Sequence, residues 1–268
     1  MKYRKLVILD YSGTLCLECV RFGETERLTE ALVSSGLVGL GVETPDFFWD
    51  KVVNRTWTEG STTAVGYAPL MKSRLGGLVD VPKEKLEQAV DRFVGDYFAS
   101  FRVDLRWEKT LRRLRDRPGI SVLVATDHYA EATEVIMASL AALGIESRPL
   151  GHVHHENTGG FVVANSADLG YPKTDRRFWE QVSRNFSEQG EAGVILVDDF
   201  GCNETVGSAY SMWPRVLKRM NETVAHLEEI FMKPIRVITF FPIDGKAPPG
   251  ELYPLERVIG EVENLFQL

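Results

Sequence analysis

The sequence predicts an α/β protein built on a doubly wound parallel sheet, with an inserted α-helical domain. Short, continuous apolar runs rich in β-branched residues alternate with longer runs that show helical periodicity. Uninterrupted apolar strands are typical of parallel sheets that helices cover on both faces. Residues 10–120 separate the first two predicted strands, which is far more than one crossover requires. This excess predicts a second domain within the gap.

Five apolar runs predict the strands, and amphipathic stripes predict the helices between them. The strands lie at 6–9, 121–125, 161–164, 194–197 and 235–241. Helical stripes lie at 107–114, which the Pro118-Gly119 pair ends, at 132–143, which Gly144 ends, and at 178–186. This alternation of strand and helix favours a doubly wound α/β domain.

The gap between the first two strands predicts helices of its own. Apolar stripes occur at 28–32 and 86–98, and glycine-rich breaks occur at 36–41 and 76–77. We therefore expect two domains with the boundaries 1–15 and 104–268 for the sheet domain and 16–103 for the helical domain.

Composition and charge argue against several classes of function. Apolar residues make up 44% of the chain and charged residues 26%, which is ordinary for a globular protein. The net charge of -7 and the lack of a basic run argue against nucleic acid as a partner. No apolar run approaches the ~20 residues that span a bilayer, so we expect no membrane partner and a cytoplasmic location. The sequence does not indicate an oligomeric state.

The residues that follow the predicted strands are the candidates for chemistry, because ligands of open α/β sheets bind at the carboxyl ends of the strands. These residues are Asp10, Ser12, Gly13 and Thr14 after the first strand, Thr126, Asp127 and His128 after the second, Lys173 after the third, and Asp198 and Asp199 after the fourth. Acids, hydroxyl groups and one lysine would then face a single point.

Phosphoryl transfer requires such a set of groups. A carboxylate can attack phosphorus and form an acyl phosphate, which divides one difficult step into two. Other carboxylates can hold Mg²⁺ through oxygen ligands, while an ammonium group and a hydroxyl bind the remaining phosphate oxygens. The chemistry consists mainly of positioning and charge stabilisation.

Four short motifs resemble those of the haloacid dehalogenase (HAD) superfamily. LDYSGTL is similar to the first motif of that family, VLVATD to the second, YPKTD to the third and VILVDDFGCNE to the fourth. They occur in the family's order and span residues 5–205. Each motif alone is a weak signal, whereas four in order after four predicted strands are a strong one.

The resemblance implies a phosphohydrolase or phosphotransferase with a Rossmann-like core, a small phosphorylated metabolite as substrate and Mg²⁺ as cofactor. Asp10 would be the nucleophile and also a metal ligand. The backbone carbonyl of Ser12 would be a second ligand, and Asp199 would complete the metal site. Asp198 and Asn203 would support it.

The resemblance also implies how the phosphoryl group is bound. Thr126 and Lys173 would hold its oxygens, and Gly13, Thr14 and Asp127 would contribute to substrate binding. The inserted helices would form a cap of the family's first type, which closes over the site and selects the substrate.

One departure from the family's pattern concerns Ser12. Phosphatases of the superfamily usually have a second aspartate there, which protonates the leaving group and then activates water, and its loss typically costs ~10²–10⁴-fold in rate. Three outcomes stay open. Glu18, Glu24, Asp127 or His128 could supply the proton, the substrate could have a good leaving group, or the phosphoenzyme could pass its phosphate to an acceptor other than water.

Two other functions are alternatives. A catalytically impaired protein of the same fold, which binds phosphate or a partner, would account for Ser12. A dehalogenase would use the same aspartate to attack carbon without a metal, but the pair Asp198 and Asp199 argues against it.

Three further patterns have structural interpretations that we favour. Cys16 and Cys19 are expected to be ordinary reduced cysteines, since no second pair completes a zinc site. The histidines within 152–155 are expected near the polar tip of a hairpin at 157–160. The aromatic cluster at 47–57 is expected to be core of the helical domain, with pocket lining as the alternative.

Overall fold

The strands of this protein form one parallel sheet in a computed structural model, which describes residues 5–151, 160–186, 193–204, 210–243 and 252–267. The strands are β1 (Lys5–Leu9), β2 (Ile120–Thr126), β3 (Ser147–Pro149), β4 (Phe161–Asn165), β5 (Val194–Val197) and β6 (Ile235–Ile238). Their order in the sheet is β3-β4-β2-β1-β5-β6. Strands β2, β4 and β3 therefore lie on one side of β1, and β5 and β6 lie on the other. This doubly wound order confirms the predicted fold class.

Helices cover both faces of the sheet. The α-helices are α1 (Glu18–Arg21), α2 (Thr25–Ser35), α3 (Pro45–Phe48), α4 (Asn54–Gly60), α5 (Tyr67–Gly76), α6 (Lys83–Ala99), α7 (Glu108–Asp116), α8 (Ala132–Ala142), α9 (Ser166–Leu169), α10 (Arg176–Phe186), α11 (Trp213–Phe231) and α12 (Leu255–Phe266). A turn of π-helix, Trp49–Val53, joins α3 to α4. None of the described helices combines the length and the apolar character that crossing a bilayer requires.

The central strand β1 contributes to two apolar cores because its side chains alternate between the faces of the sheet. Val7 and Leu9 belong to the cluster that includes residues of α7, α8 and α12. Leu6 and Ile8 belong to the cluster that includes residues of α10 and α11. All four side chains are fully buried, so β1 is held from both sides and its carboxyl end has a defined position.

The structure differs from the sequence-based expectations at three points. Strand β6 ends at Ile238, three residues earlier than expected, and the following segment leaves the ladder. Strand β3 was not expected, because three residues are too few to show a periodicity. The expected loop 36–41 contains a 3₁₀ turn, Val38–Leu40, between Gly36 and Gly41, which both have positive φ. The histidines within 152–155 and the expected hairpin tip, except Gly160, lie outside the described residues.

Helices α1–α6 lie between β1 and β2 and are called the helical insert. The apolar side chains of α2 to α6 form a cluster separate from the two that cover the sheet, and it includes the expected stripes at 28–32 and 86–98. Helix α1 instead packs with the sheet through Cys19 and Val20. The domain boundaries after residues 15 and 103 therefore stay predictions.

The helical insert packs against the segment that follows β2 in the sheet region. The carboxylate of Glu131 accepts hydrogen bonds from the backbone N–H of Tyr67 at 2.8 and 2.9 Å, at the start of α5. The ring of Tyr67 stacks on Tyr129, with 4.1 Å between the ring centroids. A Cβ at Gly60 would lie 2.2 Å from the ring of Tyr129, and one at Gly66 would lie 2.6 Å from the carboxylate of Glu131. Glycine at both positions permits this close contact.

The fully buried Trp107 connects the sheet core to the loop that follows β1. Its indole N–H donates a hydrogen bond to the backbone carbonyl of Thr14 at 2.9 Å. The backbone N–H of Asp104 donates to the carbonyl of Leu15 at 2.8 Å. A core side chain and a neighbouring backbone group thus position the loop.

We expect Trp107→Ala to lower the free energy of unfolding by ~3–5 kcal/mol, because a large buried ring is lost from the core. Trp107→Phe should cost less, since it keeps most of the volume and loses the hydrogen bond to Thr14. Urea denaturation of both variants measures these losses, with Leu105→Ala as an exposed control expected to stay within ~0.5 kcal/mol. A loss for Trp107→Ala as small as that of the control would contradict this role.

Candidate active site

The register of the sheet brings the first two carboxylates of the site together. Leu9 of β1 pairs with Val197 of β5, so the residues that follow, Asp10 and Asp198, leave adjacent strands at the same edge. The backbone N–H of Asp10 donates to the carbonyl of Val197 at 2.8 Å. One carboxylate oxygen from each of Asp10, Asp198 and Asp199 lies within 4.8 Å of the others. Three buried acids thus meet at one point.

Lys173 supplies the positive charge among these acids. Its Nζ donates to Asp10 Oδ1 at 2.6 Å and to Asp198 Oδ2 at 2.8 Å. Its backbone N–H donates to Asp127 Oδ1 at 2.8 Å, and its carbonyl accepts a hydrogen bond from the indole N–H of Trp179 at 2.6 Å. Hydrogen bonds therefore hold both the backbone and the ammonium group of Lys173, and the ammonium group has little freedom to leave the acids.

The ionisation of the cluster reflects burial and mutual charge. Burial raises the pKa of Asp10, and the ammonium group of Lys173 opposes that shift. Burial alone would lower the pKa of Lys173, but the surrounding carboxylates raise it well above its usual range, so the ammonium group stays charged. Burial, together with the charge of Asp198, raises the pKa of Asp199 to about 7. One lysine does not balance three acids, and the arrangement favours a further cation.

The loop after β1 is tied closely to Asp199. The hydroxyl of Thr14 accepts a hydrogen bond from the backbone N–H of Asp199 at 3.1 Å. The side-chain amide of Asn203 donates to the carbonyl of Gly13 at 2.7 Å, and the backbone N–H of Asn203 donates to Asp199 Oδ2 at 2.9 Å. Gly13 has a φ of 79°, and a Cβ there would lie 2.3 Å from Asp199 Oδ2. Only glycine fits between the two loops.

Two polar atoms of the predicted site residues are buried without a hydrogen-bond partner among the described residues. They are Oδ2 of Asp10 and Oγ1 of Thr126. Buried polar atoms are nearly always hydrogen-bonded, because an unpaired one costs about 1–3 kcal/mol. Both atoms belong to residues that line the same cavity, so they are suited to contact a ligand there.

A cavity of about 620 Å³ lies over the carboxyl edge of the sheet. The predicted residues that line it are Asp10, Ser12, Thr126, Asp127, His128, Lys173, Asp198 and Asp199. Gly13 and Thr14, expected to contribute to substrate binding, are not part of this lining. The structure places them beneath it, where they hold Asp199.

The helical insert forms much of the opposite wall of the cavity. Phe22, Trp57 and Tyr97 contribute rings, and Lys51 and Arg55 contribute positive charge. The expected aromatic cluster at 47–57 fits both interpretations. Phe48 is buried in the core of the insert and the half-buried Trp57 packs against that core, and both also line the cavity.

The cysteines next to the loop are free thiols, as expected from the lack of a second ligand pair for zinc. Cys16 and Cys19 are both buried. The thiol of Cys19 lies 3.6 Å from Oγ of Ser12, which places the hydroxyl on the wall near the start of the insert. Position 12, at which phosphatases of the superfamily that the sequence resembles usually have an acid, lines the cavity but carries only a hydroxyl group.

His128 is buried with both ring nitrogens in use. Nδ1 accepts a hydrogen bond from the backbone N–H of Tyr129 at 2.8 Å, and Nε2 lies 2.9 Å from the hydroxyl of Tyr97. The ring of Phe101 packs against it edge to face, with 4.8 Å between the centroids. Burial lowers the pKa of His128 to about 3, so the imidazole is neutral near neutral pH.

Sequence reasoning missed two acids of the cavity, the exposed Asp50 and the half-buried Glu204. Glu204 lines the cavity together with Asp10 and Ser12. Burial, with the charge of Asp10, raises the pKa of Glu204 to about 7. The signal for Glu204 in the sequence is its place as the last residue of the fourth motif.

No family model and no curated protein match this sequence. Three solved structures of BT-2542, a HAD family enzyme from Bacteroides thetaiotaomicron, are similar in fold. An aspartate-to-alanine mutant in complex with magnesium and inorganic phosphate has 11% identity, with 91% of this chain and 96% of that chain covered and a TM-score of 0.47. The magnesium complex has 12% identity, coverage of 94% and 96% and a TM-score of 0.43. A third structure has 11% identity, coverage of 89% and 94% and a TM-score of 0.43.

We expect Gly13→Ala to destabilise the protein more than Gly170→Ala. Both glycines have a φ of 79°, so both variants place alanine in the left-handed region, which costs ~1–2 kcal/mol. Only at Gly13 does the new Cβ meet Asp199, whereas nothing lies within 4 Å of a Cβ at Gly170. Thermal and urea denaturation compare the two, and equal losses would show that the contact with Asp199 is not tight.

We expect His128 to make stability depend on pH. The pKa of His128 is about 3 in the folded protein, whereas its ordinary value, which applies to the unfolded chain, is 6.5. Between these two pH values only the unfolded chain takes up the proton. Its contribution is fully present above pH 6.5 and decreases as the pH falls towards 3. Wild type should therefore lose ~1.4 kcal/mol per pH unit relative to His128→Phe below pH 6.5.

Urea denaturation of both proteins at several pH values between 7 and 4 measures this difference. Tyr97→Phe serves as the control, because it removes the hydrogen-bond partner of His128 but keeps the imidazole. A difference between wild type and His128→Phe that does not change with pH would contradict the burial of a neutral imidazole.

Proposed function

We propose that this protein is a Mg²⁺-dependent phosphohydrolase or phosphotransferase of the HAD superfamily, acting on a small phosphorylated metabolite. The observation that carries the proposal is that Asp10, Thr126, Lys173 and Asp199, from four separate segments, line one cavity. These are the residue types that covalent phosphoryl transfer requires. The four motifs of the sequence are thus matched by one constellation of side chains.

The residues present suit Mg²⁺. Asp10, Asp199 and the backbone carbonyl of Ser12 would hold the ion, with Asp198 and Asn203 supporting them. The carboxylates are hard oxygen donors, and Oδ2 of Asp10 has no hydrogen-bond partner among the described residues. When bound, Mg²⁺ neutralises phosphate charge and so lowers the repulsion that an attacking carboxylate meets.

The protein's own groups would divide the remaining work. Asp10 presents a carboxylate oxygen to phosphorus and becomes phosphorylated. The ammonium group of Lys173 and the unpaired hydroxyl of Thr126 bind phosphoryl oxygens. Asp127 orients Lys173 through its backbone N–H at 2.8 Å. Thr14 and Asn203 keep Asp199 in place.

The helical insert would act as the cap of the site. Residues 16–103 would close over the phosphoryl group, and the rings of Trp57 and Phe22 would pack against the organic part of the substrate. Such a cover excludes water, which strengthens the charge interactions beneath it.

A second function is supported by Ser12 alone. A protein without a general acid at position 12 would bind phosphate and gain thermal stability but turn over no ester. A dehalogenase has less support, because the acidic pair of Asp198 and Asp199 is buried at the site where a metal-free reaction has no use for it.

We expect purified protein with Mg²⁺ to release phosphate from esters in a screen of phosphorylated metabolites, and EDTA to stop the reaction. Asp10→Asn should lower the rate by about 10³-fold or more, because the attacking carboxylate is lost. Asp80→Asn, at an exposed position of the insert, is the matched control and should keep full activity. Acid quenching and mass spectrometry should find the phosphate on Asp10.

Two results would reject the proposal. One is a screen without phosphate release and without phosphorylated Asp10 at any Mg²⁺ concentration. If phosphate then still raised the melting temperature, the binding function would replace the enzymatic one. The other is full activity after EDTA treatment, which would exclude a role for the metal.

A further inference from the structure

The cavity needs a proton donor that Ser12 cannot provide, and the structure excludes the first two candidates. Glu18 is exposed and pairs with Arg21 at 3.0 Å and with Arg27 at 2.6 Å. Glu24 is exposed and does not contribute to the lining of the cavity. Neither carboxylate can reach a leaving group that lies over Asp10.

The other two candidates are already engaged. Asp127 lines the cavity, but its carboxylate accepts hydrogen bonds from the backbone N–H of Lys173 at 2.8 Å and from the hydroxyl of Tyr210 at 3.4 Å. Both ring nitrogens of His128 have partners inside an aromatic environment. These residues position their neighbours and have no free atom to exchange a proton with a substrate.

Glu204 is placed differently. Its backbone follows Asn203, whose side chain bonds to Gly13 and whose N–H bonds to Asp199, so this part of the chain is anchored at the reaction centre. The side chain is half-buried and lines the same cavity as Asp10 and Ser12. No hydrogen bond from the other described residues holds its carboxylate, in contrast to Asp127.

The lining of the cavity places Glu204 together with Ser12 and Asp10. Cys19, whose thiol lies 3.6 Å from the hydroxyl of Ser12, and Tyr97 of the helical insert belong to the same lining. Glu204 therefore shares with Ser12 the cavity between Asp10 and the helical insert.

We propose that Glu204 is the general acid and base of this site and takes the role that an aspartate at position 12 usually has in the family. The proposal rests on the proposed function, since it needs phosphoryl transfer at Asp10. In the first step an oxygen of Asp10 bonds to phosphorus while the bond from phosphorus to the leaving oxygen breaks. The carboxyl group of Glu204 gives its proton to that oxygen, which leaves as an alcohol.

In the second step the carboxylate of Glu204 accepts a proton from water as the water oxygen bonds to phosphorus. The bond between phosphorus and Asp10 breaks, inorganic phosphate leaves, and both side chains return to their starting forms.

The test compares two substrates with Glu204→Gln in the full-length protein with Mg²⁺. Ethyl phosphate has a poor leaving group that must be protonated, whereas p-nitrophenyl phosphate has one that leaves as an anion. We expect phosphorylation of Asp10 by ethyl phosphate to fall ~10²–10⁴-fold in the variant. Phosphorylation by p-nitrophenyl phosphate should stay within a few-fold of wild type, and phosphorylated Asp10 should then accumulate because water is no longer activated.

Two further variants distinguish lost catalysis from lost folding. The double variant Ser12→Asp with Glu204→Gln should recover turnover of ethyl phosphate, since it restores an acid at the family's usual position. Glu24→Gln is the matched control and should behave as wild type. A misfolded Glu204→Gln protein would lose both substrates equally and would not be rescued by an acid at position 12.

Four outcomes overturn the proposal. Glu204→Gln could turn over ethyl phosphate as fast as wild type, or, while circular dichroism shows that it is folded, it could lose both substrates equally with the double variant inactive. If wild type itself forms no phosphorylated Asp10 from p-nitrophenyl phosphate or from any ester in the screen, the proposed function fails, and the role of Glu204 fails with it. Normal phosphorylation of Asp10 in both proteins, with unchanged dephosphorylation, rejects Glu204 alone.

Discussion

The ammonium group of Lys173, between Asp10 and Asp198, is the interaction on which the rest of the site depends. Carboxylates that are buried this deeply resist ionisation unless an opposite charge lies close by. Removing one partner of a buried ion pair typically costs about 3–5 kcal/mol, because the other charge is left without compensation. Lys173 therefore permits the acids to be charged and close together, and the negative charge that it leaves unbalanced suits a divalent cation.

The positions of these charges derive from the apolar core through a short chain of contacts. Trp107 holds the loop after β1 from below, Thr14 in that loop holds Asp199, and Gly13 leaves room for its carboxylate. Asn203 connects the loop after β1 with the loop after β5, because it forms hydrogen bonds with Gly13 and with Asp199. The positions of the acids thus depend on contacts made by uncharged residues and by the backbone.

Much of the sheet and of the site could be predicted because both follow local rules. Asp10, Thr126 and Asp199 end or follow apolar runs, and parallel strands bring such positions to one edge. Strand β3 could not be predicted, since three residues show no periodicity. Glu204 was missed because it follows β5 at a distance, in a loop whose path depends on the contacts of Asn203. The contacts of Gly13 and Thr14 with Asp199 could not be predicted, because they depend on how two loops meet.

The junction between the helical insert and the segment after β2 bears on how this architecture can change. Tyr67 and Gly66 belong to the insert, whereas Tyr129 and Glu131 belong to the sheet region. The ring stacking, the hydrogen bond to Glu131 and the close approach at Gly66 require these residues to be present together. A foreign insert grafted onto this core, even with perfectly joined chain ends, would leave the carboxylate of Glu131 and the ring of Tyr129 without their partners. A protein in which the insert is exchanged as a module would therefore need compensating substitutions at positions 129 and 131.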